Sequence, residues 1–460
     1  MKRFKKTIIS GLPLTLLLLE GCGLHQTYER PQLSEQEVNP VRMEYAITDS
    51  TVVMGWRSMF TDPQLQQLIE EALNNNTNLQ VAKLKVEEAC ASLYAARKAL
   101  LPTVSAGADG TISSYGGEKA SKTYELGADV SWEADIFGKL SNEKKQSAAS
   151  LEEQQAYAQA VKTQLIATVA EDYYTLLTYD EQVKVSEATV ESWNEYITTQ
   201  RSLMNAGQAS LADVSQAEAS QISAQSTLQD IKQSIVEVEN SLCALLGRGH
   251  TTQIARSTLE EQQIPETLTK GVSVSALVGR PDVLEAEAQL KQAFYGVGVA
   301  RAAFYPNLTL SGQAGWTNSG GMGITNPGKI LLQAVASLTQ PIFNQGKNVA
   351  NLRIAKAQQE EAALQWKQSI LDAGEEVNNA LSKWQTAKLQ TDLQTQQVEK
   401  LKQSLKATES QMKYGSVNYL QVITVRQSLL TAELDKLNNV YAQLQSLVNL
   451  YQAVGGGTKE

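Results

Sequence analysis

The chain has 460 residues and is poor in the residue types that most often carry chemistry. Its only histidines, His25 and His250, are too few for a histidine-based metal centre within one chain. The three cysteines, Cys22, Cys90 and Cys243, show no paired spacing. Cys90 and Cys243 fall in helical patterns, so two buried free thiols are expected ahead of a disulfide. Prolines are absent between Pro102 and Pro265 and again after Pro341. An interior proline costs a helix about 3 kcal/mol or more, so both spans are open to very long helices. Beyond the N-terminus there is no apolar run of about 20 residues, the length a membrane helix needs. Any bilayer crossing would fall to strands. A formal net charge of −9 argues against a nucleic-acid partner.

What is present begins with an export signal over residues 1–21: the basic Lys2-Arg3-Phe4-Lys5-Lys6, an apolar core from Ile8 to Leu19, then Glu20-Gly21-Cys22. The end of this segment resembles a bacterial lipoprotein signal, in which Cys22 becomes the lipidated first residue. Leu19 and Gly21 fit that pattern; Glu20 departs from the small residue usual there. Residues 22–61 form a polar, aperiodic N-terminal arm. Asp62-Pro63 then opens a helix, as N-cap and first helical residue.

Two hairpins of strands interrupt an otherwise helical chain. In the first, about 103–134, Val104, Ala106, Ala108, Gly110 and Ile112 alternate with Thr103, Ser105, Gly107, Asp109 and Thr111. On the return run Leu126, Ala128, Val130 and Trp132 alternate with Glu125, Asp129, Ser131 and Glu133. The second hairpin, about 307–341, sets Leu308, Leu310 and Trp316 against Asn307, Thr309, Ser311 and Gln313. Each strand therefore has one apolar and one wet face. Carboxylates repeated along one side cannot face hydrocarbon, so that side must see water. Trp132 and Trp316, with Tyr115 and Tyr124, suit an interfacial aromatic girdle, with ordinary packing as the alternative. The Gly323 to Lys329 fragment approaches a phosphate-binding loop, but Ile330 replaces the required Ser or Thr and a strand-like run follows.

From Lys139 to Ala206 there is neither glycine nor proline. A seven-residue beat runs through Leu176, Val183, Val190, Ile197 and Met204. After a turn at Gly207, Leu228, Ile231, Ile235, Val238, Leu242 and Leu245 follow at coiled-coil spacing. The programme then repeats. Ala96 to Pro102 matches Ala300 to Pro306, Ile136-Phe137 matches Ile342-Phe343, and Met204 to Gly207 matches Met412 to Gly415. This is an internal duplication. Repeat 1 covers 62–247, with a long helix 139–206 and a return helix 210–246. A connector at 248–278 leads to repeat 2 over 279–454, with a long helix 347–413 and a return helix 417–453; residues 455–460 form a tail. Four strands cannot close a barrel, and open edges are forbidden in lipid, so several chains must pool their strands.

The chain resembles the outer-membrane factors of the TolC/OprM type, in the lipoprotein branch that serves RND-type tripartite pumps. The likeness rests on Trp56 to Leu65, Trp132 to Lys139, Arg280-Pro281-Asp282-Val283 with Ala286-Glu287, and Pro341-Ile342-Phe343. It implies a mixed α and β membrane protein: a homotrimer whose 12-stranded β-barrel continues into a 12-helix periplasmic α-barrel. It further implies a lipid-anchored chain in the outer membrane of a Gram-negative bacterium, docked through a periplasmic adaptor to an inner-membrane transporter. The expected function is a passive exit duct for drugs or other small toxic compounds, with no catalysis. No cofactor is implied beyond diacylglycerol and an N-acyl chain on Cys22. Gly207 and Gly415 would mark the periplasmic tip that meets the adaptor, and Asp213 resembles an entrance-gate position; in the second repeat Thr424 stands where many relatives carry Asp. Asp213 reads equally well as an acidic residue favoured in the first turn of a helix. Asp109, Asp129, Glu133 and Gln313 would line the lumen. A duct for type I protein secretion or for metal ions is the alternative, and a periplasmic coiled-coil adaptor lipoprotein a weaker one.

Overall fold

A computed structural model describes residues 26–32, 55–249, 253–262, 277–317, 329–413 and 419–456. The Cys22 and Gly415 expectations, both histidines and the whole Gly-rich 318–328 segment lie outside the described residues. A one-turn helix α1 (Trp56–Met59) precedes α2 (Pro63–Asn75) and α3 (Thr77–Lys98). The Asp62 side chain accepts from the Gln64 N–H and Pro63 occupies the first turn, so α2 starts where its cap and its missing donor coincide. Asn76 separates α2 from α3, its Oδ1 accepting from the Leu79 N–H at 3.1 Å.

Pro102 separates α3 from β1 (Thr103–Ser113), which pairs antiparallel with β2 (Ser121–Ala134). Next come α4 (Lys139–Asn205, 67 residues) and α5 (Leu211–Leu246, 36 residues). The second round supplies α6 (Pro281–Ala302), β3 (Asn307–Thr317), β4 (Lys329–Thr339), α7 (Lys347–Lys413, 67 residues) and α8 (Tyr419–Ala453). Among the described residues no helix is long and apolar enough to cross a membrane. The strands form one antiparallel sheet in the order β1-β2-β3-β4, with β2 paired to β3 across the two repeats.

The chain divides into two compact units that cut across the repeats. One comprises residues 1–32, 84–155 and 285–367 and holds the sheet; the other comprises 33–83, 156–284 and 368–460 and holds the main core. In the second unit Trp56, Phe60, Leu65 and Ile69 pack with Ile166, Tyr173, Leu176, Leu242, Leu444 and Tyr451, all at most 1% exposed. Ile235, Val238 and Leu245 of the coiled-coil spacing line this cluster. Arg280, 5% exposed, bridges Asp282 and Glu376 at 2.7 Å each and donates to the Ala453 carbonyl at 2.9 Å. The Arg-Pro-Asp motif therefore ties the start of α6 to the middle of α7 and the end of α8 within that unit.

In the sheet-bearing unit, Arg30 pairs with the buried Glu287 of α6, and the Tyr28 ring meets Phe294 edge-on at 5.8 Å. The described part of the N-terminal arm thus lies along a helix of the second repeat. As expected, neither Cys90 nor Cys243 forms a disulfide, but only Cys243 is buried. Cys90 is exposed, because its position on α3 faces outward while Ala89 and Leu93 face in.

Candidate functional site

The two-faced sheet is the first candidate surface. Because side chains alternate along a strand, the register carries one polarity from strand to strand. On the wet side Ser105 faces Asp129, which faces Gln313, which faces Gln333. Four positions along, Asp109 faces Glu125 and Glu125 faces Thr317. On the other side run Ala106, Ala128, Ala314 and Leu332, then Ala108, Leu126 and Trp316. Asp109, Asp129, Glu133 and Gln313 therefore share one face. Glu125, on the same face, was not singled out as a site residue in the sequence, although its alternation already placed it there.

Between the Asp129/Gln313 and Glu125/Thr317 pairs lies a row of three glycines, Gly107, Gly127 and Gly315. With no side chain in that row, Gln313 reaches across it and donates from Nε2 to the Glu125 carboxylate. The glycines also permit close backbone approach. A Cβ on Gly315 would overlap the Leu126 carbonyl and come within 2.7 Å of the Gly127 Cα. Glu133, at the helix-proximal end of β2, pairs with Lys139 Nζ at 3.3 Å.

The apolar face is exposed. Every residue of β1 is exposed, and so are Leu332 and Leu338 of β4. Trp132 is 37% exposed and donates from Nε1 to the Leu100 carbonyl at 3.0 Å; Trp316 is 46% exposed. Pro341 is followed by Ile342 and Phe343 at 96% and 85% exposure. The counterpart Phe137 instead stacks on Tyr305, with centroids 4.9 Å apart.

The second candidate surface is the turn between α4 and α5. Gly207 has a φ of +72°, and the Gln208 N–H donates to the Leu203 carbonyl at 2.8 Å, closing α4 with a left-handed residue that only glycine adopts freely. Ser210 caps α5 in a reciprocal box: the Ser210 N–H donates to Asp213 Oδ2 at 2.7 Å, and the Asp213 N–H to Ser210 Oγ at 3.3 Å. Asp213 also accepts a hydrogen bond from the Tyr419 hydroxyl, at the start of α8. Partial desolvation pushes the Asp213 pKa upward. The hydrogen bonds from Ser210 and Tyr419 outweigh it and hold the carboxyl below its ordinary value. Thr424 turns its hydroxyl back to the Leu420 carbonyl at 2.8 Å.

A little farther from the turn, Arg426 of α8 lies over the rings of Trp193 and Tyr196, 5.7 and 5.0 Å from their centroids. It donates to the Ser192 carbonyl at 3.0 Å and pairs with Glu409. Tyr419 and Arg426 were not legible in the sequence, because each joins segments from opposite repeats. Among the described residues no group of three or more potential metal ligands occurs.

Both long-helix hairpins, the two-faced sheet and their duplication fall inside the part of the chain that matches one family description, outer membrane efflux protein, over residues 68–248 and 272–456. The chain belongs to the outer membrane efflux protein family. It is accordingly an efflux channel protein of the outer membrane and not an enzyme. The probable outer membrane lipoprotein SilC of Salmonella typhimurium is 28% identical over 97% of this chain and 98% of its own. The toluene efflux pump outer membrane protein TtgC of Pseudomonas putida is 31% identical over 99% of this chain and 96% of its own. A crystal structure of CusC matches with a TM-score of 0.85 at 28% identity, covering 94% of this chain and 99% of that one. The Escherichia coli protein of that name is described as a cation efflux system protein.

Proposed function

We propose that this chain forms a homotrimeric, passive exit duct for drugs or other small toxic compounds, the outer-membrane part of a tripartite efflux system. The observation that carries the proposal is the sheet: four strands, one polar face, one exposed apolar face and two open edges. An apolar face of this kind is satisfied by lipid, and open edges in lipid are satisfied only by closure. Three copies supply twelve strands, enough for a water-filled lumen, whereas eight strands from two copies would be filled by side chains. Asp109, Asp129, Glu133 and Gln313 then line the lumen. The paired long helices of three copies make the 12-helix periplasmic tube.

In this reading residues 1–21 are removed and Cys22 carries diacylglycerol and an N-acyl chain. Gly207 and Gly415 lie at the periplasmic tip where an adaptor engages, and Asp213 belongs to the entrance. The adaptor links the duct to an inner-membrane transporter of the RND type, which supplies the energy. Relatives of similar identity are named for cations and for toluene. That pattern favours a duct that leaves cargo choice to its pump, with metal ions as the second cargo class.

The test is purification from the outer-membrane fraction in detergent, followed by mass measurement and planar-bilayer recording. Trimers that conduct ions support the proposal; a salt-extractable monomer refutes it. Deletion of the gene should sensitise cells within a panel of antibiotics, solvents, detergents and metal salts, and the class affected names the cargo.

A further inference from the structure

The duplication and the strand registers together specify how one copy meets the next. Up to the tip of each hairpin the repeats differ by a constant 204 positions: Thr77 with Pro281, Thr103 with Asn307, Ser113 with Thr317. After the tip the constant is 208: Ser121 with Lys329, Lys139 with Lys347, Leu211 with Tyr419. The four extra residues of the second repeat therefore fall in the loop between its strands. The ladders agree with this: Val104 faces Val130 in the first hairpin, and the equivalent Leu308 faces Leu338 in the second. Sequence similarity alone aligns Ile136-Phe137 with Ile342-Phe343, two residues out of step with the ladders.

Inside one chain the two hairpins are joined by β2 and β3, with Asp129 facing Gln313 and Gly127 facing Gly315. β4 is the repeat of β2, and β1 is the repeat of β3. The contact β2 makes with β3 is thus the template for the contact β4 makes with β1 of another copy. We infer that the seam between copies pairs Ser337 with Asp109, Val335 with Thr111 and Thr339 with Gly107 on the wet face, and Leu338 with Ala108 and Ala334 with Ile112 on the apolar face. This inference rests on the multimeric reading above and adds its register. The occupant of each open edge is a second copy of this chain.

The register keeps both faces continuous across the seam. Every wet-face position of β4 meets a wet-face position of β1, and every apolar-face position, Leu338 and Ala334 among them, meets an apolar-face one. A slip of one residue would turn Asp109 toward the side that carries Leu338. A slip of two, as the Ile-Phe similarity suggests, keeps the faces and is the rival, pairing Val335 with Asp109.

Disulfide trapping in outer membranes separates them, in the full-length chain carrying Cys90→Ser. Val335→Cys is combined in turn with Thr111→Cys, Asp109→Cys and Ser113→Cys, and membranes are oxidised with copper phenanthroline. Positions 335 and 111 lie on opposite edges of one sheet, three strand spacings apart and offset along the strands, so more than about 14 Å apart. A disulfide spans Cα separations of at most about 7 Å, so any link joins two copies. A covalent trimer as the main species with Thr111→Cys alone is the expected result. The second pair, Leu338→Cys with Ala108→Cys, should behave the same way and guards against misfolding of the first. A main species with Asp109→Cys or Ser113→Cys, or unlinked trimers throughout, overturns the register while leaving the trimer standing. Monomers only, in the single-cysteine variants as well, would overturn the multimeric reading itself.

Discussion

The Asp213 carboxylate accepts a hydrogen bond from the Tyr419 hydroxyl, so the first turns of the two return helices, α5 and α8, are tied to each other. The same carboxylate closes the capping box with Ser210. One side chain therefore both starts a helix and holds the second repeat's hairpin beside the first. Under the proposed function this tie restrains the entrance.

Tyr419→Phe removes the tie and leaves the cap intact. Trimers of this variant should conduct more in planar bilayers than the parent, with unchanged thermal unfolding. Ser210→Ala is the converse: it should lower the stability of α5 by about 1 kcal/mol, read as faster amide exchange in its first turn. Equal conductance for Tyr419→Phe and the parent would leave Asp213 with a capping role alone.

The pH response of the tie follows from its sign. The Asp213 carboxyl is held below its ordinary value, so its contribution is complete above the unfolded carboxylate pKa of about 3.9 and is lost only as pH falls through the lowered folded value. Conductance controlled by this group should be flat from neutral pH to about 4 and rise below that. Recordings across a pH series check the expectation, and Asp213→Asn should abolish the acidic rise.

Asp62 and Tyr173 make a second titrating pair. Asp62 Oδ2 accepts from the Tyr173 hydroxyl at 2.7 Å and from Gln262 Nε2 at 2.8 Å. Burial first, and then the neighbouring Asp62 carboxylate, push the Tyr173 phenol up to about 12, with hydrogen bonds from Ser257 opposing. A raised folded pKa gives stability that is complete below the unfolded value of about 10 and is lost as pH climbs through the folded one. Unfolding should therefore show an alkaline step between about 10 and about 12, absent in Tyr173→Phe. That variant should also lose about 1–3 kcal/mol at neutral pH, because Asp62 keeps its burial but loses a donor.

Glycines of the wet face should not be equivalent. Gly107→Ala adds a Cβ with nothing within 4 Å, whereas Gly315→Ala drives one into the β2 backbone at Leu126 and Gly127. The first variant should assemble normally and the second should lower trimer yield from membranes. The two faces should differ as well. Leu310→Arg should cost about 2–4 kcal/mol if that position lies at mid-bilayer, while Ser311→Arg on the opposite face should assemble and shift ion selectivity toward anions. Heat-stable trimers on native gels and reversal potentials are the readouts.

Much of this fold was legible because it depends on local rules. A Pro-free and Gly-free span gives α4 its length, Asp62-Pro63 starts α2, Gly207 ends a helix with a left-handed residue, and period-two alternation puts Asp109, Asp129 and Gln313 on one side. The Asp213 box was legible too, since a cap and its partner are three residues apart. Cys90 was misread as buried, because its pattern on α3 does not say which flank of a sparsely packed helix faces out.

By itself, then, the sequence determined which segments are helix and strand, which strand face is wet, and that the programme runs twice. Those properties are set by neighbours within a few positions of each other. The tertiary structure decided the rest. It paired β2 with β3, which placed Gln313 beside Glu125 across a glycine row, and it brought Tyr419 to Asp213 and Arg426 to Trp193. It also located the extra residues of the second repeat in the hairpin loop, so that the Ile-Phe similarity is a misleading guide to register. Contacts between repeats depend on how two distant backbones are aligned, and no periodicity within either one records that alignment.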